Sequence, residues 1–434
     1  MWRDRLWGLE RGRLFCEDAK RRSIGALGGC VVGLVALAIT SAAEEPFPKI
    51  ELPNESLTAA SVALIVNDRD PQSVETARYY ALRRGIAAEN VLHVAFRADA
   101  DELDPAEFEP VKRQLDQRLP PGIRALALAW TRPYRVGCMS VTTAFAAGFD
   151  RSYCAKGCGK TQRSRYFDGE HTTLEGAPLR PAMLLAGKTL AEVRDLIDRG
   201  VRSDETWPLG TAYLLDTPDN TRNVRARNFA RVQALLAADY SVAIIHGSEL
   251  ENRDDVMFYF TGMERVQGLA SLRFRDGAIA DHLTSLGGML TDSPQMSSLD
   301  WLEAGATGSY GTVTEPCNYP GKFPVPGLVM AHYLSGDTLI EAYWKSVEMP
   351  GQGVFIGEPL ARPFGGTHLS WSGPDLVLAT RSLPPGDYLI EEASWPGDQF
   401  QDRARVRVVR FGPSEIRIAN ARPSHVYRIL PAAL

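Results

Sequence analysis

The sequence predicts an α/β protein, a mostly parallel sheet flanked by helices, followed by a small all-β domain at the C-terminal end. Three observations predict it. Short continuous apolar runs alternate with amphipathic segments, as expected of βαβ units whose strands are buried on both faces. Of 434 residues, 44% are hydrophobic and 23% charged, a globular profile on a chain too long for one ordinary core. Near Gly365 the texture changes to short strands between Pro, Gly and Asp turns.

In chain order, Ser61 to Val66 is a buried strand ending in Asn67-Asp68, and Ser73 to Arg84 has helical spacing with Ser73 as its N-cap. Val91 to Ala95 reads as a strand, Pro105 to Arg118 as a helix, and Ala125 to Trp130 as a strand ending in Thr131-Arg132. An irregular insert, about 136–180, holds Cys138, Cys154 and Cys158, and a loop of that length is functional or mobile. The rhythm resumes with a helix from Thr189 to Gly200, a strand from Gly210 to Leu215 ending in Asp216, and a helix from Asn223 to Asp239. Ser241 to Ile245 is a strand ending in His246-Gly247, and Asp255 to Phe260 and Gly277 to Ala280 are further strands. Ser298 to Ala304 is a short helix, and Gly305 to Val313 is a strand that closes on Glu315-Pro316. The tail strands are Leu376–Ala379, Asp387–Ile390, Ala404–Val409 and Glu415–Ile418. The expected organisation is thus 1–43 leader, 44–60 Pro-rich linker, 61–365 α/β domain and 366–434 β domain.

The leader carries Lys20-Arg21-Arg22 before the uncharged run Ser23 to Ala43, with Ser41 and Ala43 suited to cleavage before Glu44. A basic flank, an apolar core and a small-residue end make a secretory signal peptide. The chain is therefore expected outside the cytoplasm, periplasmic or extracellular, and touching a membrane only if that segment stays uncleaved as an anchor. The cleaved chain would carry 41 basic and 49 acidic residues, with no excess of cations to bind nucleic acid. It would keep Cys138, Cys154, Cys158 and Cys317, and export makes disulfides the leading expectation. Cys154 and Cys158 are expected to pair with each other or with Cys138 and Cys317. Free thiols and a zinc site built from all four cysteines are the alternatives.

Ligands of parallel sheets bind beyond the carboxyl ends of the strands. The polar residues there form the candidate binding set: Asn67, Asp68, Arg132, Asp216, Gly247 and Glu315. His246 is the candidate general base, since imidazole exchanges protons near neutral pH. Ser285 is the candidate nucleophile, with His282 beside it, and Gly287-Gly288 would leave room for substrate and oxyanion donors. No dinucleotide fingerprint, Walker loop, H-E-x-x-H or G-x-S-x-G elbow is present, so no cofactor is expected.

Leu64-Ile-Val-Asn67, Ser73 to Tyr80, Arg84-Gly85-Ile86, Asn90-Val91, Gly277-Ala-Ile279 with His282 and Ser285, and Trp301 with Gly305-Ala-Thr307 stand out as sequence words. The strongest are Gly311-Thr-Val-Thr-Glu315-Pro316 and Gly357-Glu358-Pro359-Leu360 with Arg362-Pro363. Together, over about 60–365, they resemble an uncharacterised family of exported bacterial proteins, a likeness that implies no established activity. A more distant likeness is to caspase-like and gingipain-like cysteine peptidases. Those place His-Gly after one sheet strand and a cysteine after the next, followed by a helix and a Gly-Ala-led strand. Here His246-Gly247 and Gly305-Ala306 match, while Thr284-Ser285 stands at the nucleophile position and Cys317 follows a different strand. The resemblance implies a caspase-like scaffold and a peptidase- or esterase-type hydrolase without the usual cysteine. A non-catalytic envelope protein, binding a ligand or protein partner on the same scaffold, is the alternative. A metal-dependent hydrolase using His246 and His282 with Asp216 or Asp281 is a second.

Overall fold

The computed structural model describes residues 47–53, 56–169, 179–410 and 412–432. The expected leader lies outside them, and among the described residues no helix is long and apolar enough to cross a membrane. Ten strands form one large sheet: β1 Val62–Asn67, β2 Val91–Val94, β3 Ala125–Leu128, β4 Ala182–Leu184 and β5 Thr211–Asp216. The others are β6 Ser241–His246, β7 Arg253–Gly262, β8 Leu272–Leu283, β9 Gly308–Thr312 and β10 Gly353–Gly357. Their spatial order is β6-β5-β7-β8-β9-β10-β4-β3-β1-β2.

The sheet contains two parallel groups. β1 to β4 pair in parallel, with Leu64 opposite Val91, Val62 opposite Ala125 and Ala127 opposite Met183. β5 to β9 do the same, with His246 opposite Asp216, Phe260 opposite both Leu214 and Asp281, and Ile279 opposite Gly308. β10 runs antiparallel to β9 and meets β4 at one parallel pair, Ile356 and Leu184. That single pair is too short a ladder to relate the groups, but side-chain contacts do so. Beyond the carboxyl ends, the Tyr134 hydroxyl donates to Asp292, and Thr314 Oγ1 donates to the Cys138 carbonyl at 3.3 Å. At the amino ends, Ser203 abuts Gly277, and Arg84 bonds Asp204 and Glu358. Both groups therefore present their carboxyl ends on one rim.

Helices cover the sheet and reverse the chain between rims. α1 Pro71–Arg84 starts at Asp70, whose carboxylate accepts from Gln72 N at 2.9 Å, and stops at Gly85 with φ 66°. Asp70 is thus the cap in place of Ser73, because Pro71 fits the first helical turn where no amide is needed. Ser73 serves the preceding strand instead, its Oγ accepting from Asn67 N at 2.9 Å. α2 Pro105–Arg118 is capped by Asp104 and α4 Leu190–Ser203 by Thr189. α3 Val141–Ala147 lies inside the insert expected to be irregular, its first turn capped by Ser140. The helix expected from Asn223 to Asp239 is a 3-10 turn, Asn223–Asn228, continuing into α5 Phe229–Leu236. α6 Leu299–Glu303 precedes β9, while α7 Pro326–Leu334 and α8 Leu339–Ser346 form a buried hairpin between β9 and β10.

The C-terminal region builds two small sheets. Thr367–Ser372, Asp375–Thr380 and Ser414–Ile418 pair antiparallel. Gly386–Ala393 pairs antiparallel with Gln401–Val408 and Val426–Pro431. Lys49–Glu51, from the expected linker, adds in parallel to Val426–Arg428. Alternating Leu376, Leu378, Tyr388, Ile390, Ile416, Ile418, Tyr427 and Ile429 fill an apolar cluster of their own.

Candidate functional site

The rim beyond the carboxyl ends carries all the candidate polar residues, but across ten strands at about 4.8 Å each it is about 40 Å wide. The expected convergence into one site does not occur. On one flank, Asn67 is buried and its Oδ1 accepts from Arg69 N and Phe96 N, closing the turn after β1. Asp68 pairs with His93 Nδ1 at 2.6 Å, and Arg132 lies 3.7 Å from Asp101. On the opposite flank, edge strand β6 ends in His246, whose side chain is 77% exposed and 3.1 Å from Asp216. Asp216 also accepts from Asn223 Nδ2 at 2.5 Å, and Gly247 N donates to its carbonyl at 3.1 Å.

Ser285 sits at mid-rim, just past β8. Between β6 and β8 lie β5 and β7, so His246 and the end of β8 are separated by three inter-strand steps, about 14 Å. The expected His246–Ser285 pair is therefore not brought together, because β6 pairs on the outer side of β5 and both β5 and β7 stand between it and β8. β7 itself ends in Thr261-Gly262, followed by Met263-Glu264, and offers no imidazole. Among the described residues the Ser285 hydroxyl has no hydrogen-bond partner, while its carbonyl accepts from Thr312 Oγ1 at 2.8 Å.

His282 is nearer in sequence but is committed inward. It is buried, and Trp301 Nε1 donates to its Nδ1 at 2.9 Å. Burial, reinforced by the Arg225 charge, pushes its pKa down to about 3, so the ring is neutral. Adjacent strand residues face opposite ways, and Asp281 accordingly meets a different partner, Arg225, at 2.6 Å in a pair shielded from water. Burial raises the Asp281 pKa and Arg225 opposes the rise. The metal reading does not assemble, since His246, paired with Asp216, lies three strand steps from His282, and among the described residues no group of three or more His, Cys, Asp or Glu could hold an ion.

Gly287 and Gly288 do not open the site as expected. Gly288 N already donates to the Thr312 carbonyl at 2.9 Å, and a Cβ there would collide with the Gly311 carbonyl. Gly288 permits close packing of the post-β8 turn on β9, while a Cβ at Gly287 would reach Thr284, His282 and Met296 at 3.3–3.5 Å. Around Ser285 stands a polar network that sequence reasoning missed. Arg222 donates to Thr284 Oγ1 at 3.3 Å and pairs with Asp219 at 3.0 Å and Glu264 at 3.3 Å. Gln295 Oε1 accepts from Thr284 Oγ1 and Leu286 N. These residues come from three loops and carry no local motif, so no spacing in the chain announces them.

Two disulfides bind the insert. Cys138 joins Cys154 and Cys158 joins Cys317, with Cα atoms 5.6 and 5.4 Å apart. Direct Cys154–Cys158 pairing is thereby replaced by the expected alternative, each cysteine reaching out of its short loop. Glu315, exposed beside this bridge, turns back to accept from Cys317 N at 2.7 Å. Comparison with known proteins returns no match: no family model, no curated protein and no solved structure matches the chain.

Proposed function

We propose that this chain is an exported protein on a caspase-like scaffold that binds a ligand or protein partner rather than turning over a substrate. The observation that carries this reading is the isolation of the Ser285 hydroxyl: among the described residues it has no hydrogen-bond partner, and His246 stands three strands away. A serine hydroxyl is a weak nucleophile unless a base lies within hydrogen-bond reach. Export rests on the basic-then-apolar leader and on two disulfides, which persist in oxidising compartments. Likeness to the exported bacterial family rests on the words ending in Glu315-Pro316 and Leu360.

The test is a fluorophosphonate serine probe, applied to purified mature protein together with peptide and ester screens. Neither labelling nor turnover is expected. Labelling that disappears in Ser285→Ala would overturn the binding reading and restore a serine hydrolase.

A further inference from the structure

A groove of about 550 Å³ opens between the loop joining β7 to β8 and the end of α6. Its floor is apolar, formed by buried Val266, Leu272 and Met296 with half-buried Leu269. The floor is tied together, since Met296 N donates to the Glu264 carbonyl at 3.1 Å and Val266 N approaches Met296 Sδ at 3.3 Å. Arg265 and Arg273 line it, both exposed. Their only partners among the described residues are backbone carbonyls, of Pro294 at 3.3 Å and Leu272 at 3.4 Å. The acids across the groove are already engaged: Lys188 reaches Asp300 at 3.0 Å and Glu303 at 2.6 Å. Those bonds raise the Lys188 pKa to about 12, so the clamp holds across ordinary pH.

An apolar floor beside two guanidiniums without carboxylate partners has a definite complement. We infer that this groove binds a small carboxylate carrying an apolar chain, with the carboxylate at the Arg265–Arg273 wall and the chain along Leu269, Leu272 and Met296. Guanidinium recognises carboxylate through charge-assisted bonds, and the apolar chain gains by leaving water. The groove is distinct from Ser285, so the inference deepens the binding reading by naming a ligand class, and its test fails separately from that of the serine probe.

The chemistry has two sources, a free fatty carboxylate or the apolar C-terminal residue of a short peptide. Calorimetric titration of the mature protein with octanoate, 1-octanol, N-acetyl-Leu-Leu and its C-terminal amide separates them. Octanoate, the peptide acid or both should bind, each at least about tenfold tighter than its neutral counterpart. Whichever acid binds identifies the source. Arg265→Gln with Arg273→Gln should erase the preference for the acid, whereas Arg202→Gln, in an exposed pair with Asp276, should keep it. Equal affinity for acid and neutral forms, or no binding of either acid below about 1 mM, would overturn the inference.

Discussion

At the amino-terminal rim of the sheet, Arg84 is only 9% exposed and holds both Asp204 and Glu358, the latter with no exposure at all. At the carboxyl rim, the polar side chains are spread over ten strands, His246 is largely open to water, and the Cys158–Cys317 bridge ties the insert to the loop after β9. One rim is held by buried charge and the other by covalent links. The word Gly357-Glu358-Pro359-Leu360, among the most distinctive in the sequence, belongs to the buried side. Glu358 packs against Gly200 of α4 and Arg362 N donates to Asp204 at 2.9 Å, so this segment closes the amino-terminal rim. A conspicuous motif can therefore mark a structural lock rather than chemistry.

The covalent side should show the largest effect. Cys158 and Cys317 are 159 residues apart, and losing a closure of that length releases about 5 kcal/mol of denatured-state entropy. Denaturant unfolding of the Cys158→Ser, Cys317→Ser double variant checks this, and a change no larger than that from opening Cys138–Cys154 would break the contrast. The shorter bridge spans 16 residues, for which about 3 kcal/mol is expected.

Next comes the buried charge. Arg84→Met would strand Glu358 without its counter-ion, at a cost of about 3–5 kcal/mol. Urea unfolding is the measurement, and adding Glu358→Gln should recover part of the loss. A loss below about 0.5 kcal/mol would mean that the amino-terminal rim is no lock.

A smaller effect separates His282 from His246. The His282 pKa is depressed from about 6.5 in the unfolded chain to about 3 in the fold, so the unfolded chain takes up the proton first. Its contribution is fully present above pH 6.5 and is lost as pH falls towards 3. Burial moves the pKa of Asp204, Asp281 and Glu341 upward, which acts with opposite sign in acid, and those groups are shared with a His282→Gln variant. Between pH 6 and 4 the wild-type stability should therefore fall more steeply than the variant's, by up to about 1.4 kcal/mol per pH unit. Parallel curves would contradict the buried, neutral ring. Smallest of all, His246→Ala should alter stability by no more than about 0.5 kcal/mol in the same assay, as an exposed edge-strand pair contributes little.

How much was legible follows from how each element meets water. β1, β3 and β5 were visible because each is a four- to six-residue apolar run, and α1, α2 and α4 because one face alternates with solvent. α8 was missed because it is only eight residues long, too short for the spacing of Glu341 and Lys345 to establish a period, and its polar side chains are buried with the rest. β4, three residues of Ala-Met-Leu, and β10, flanked by glycines, are too short to stand out. The possible partners of the cysteines were legible by counting, but their choice was not.

The sequence by itself determined the α/β class, the β tail, and which polar residues would end strands, because those properties are local: burial pattern, turn chemistry and capping. The tertiary structure alone decided which ends are neighbours. Pairing β6 outside β5 moved His246 to an edge, the pairing of β8 with β9 turned Gly288 into a packing contact, and placing β7 between β5 and β8 gathered Arg222, Thr284, Glu264 and Gln295 beside Ser285. Strand order is a long-range choice made by the whole sheet, and a site assembled from several loops has its chemistry only after that choice is made.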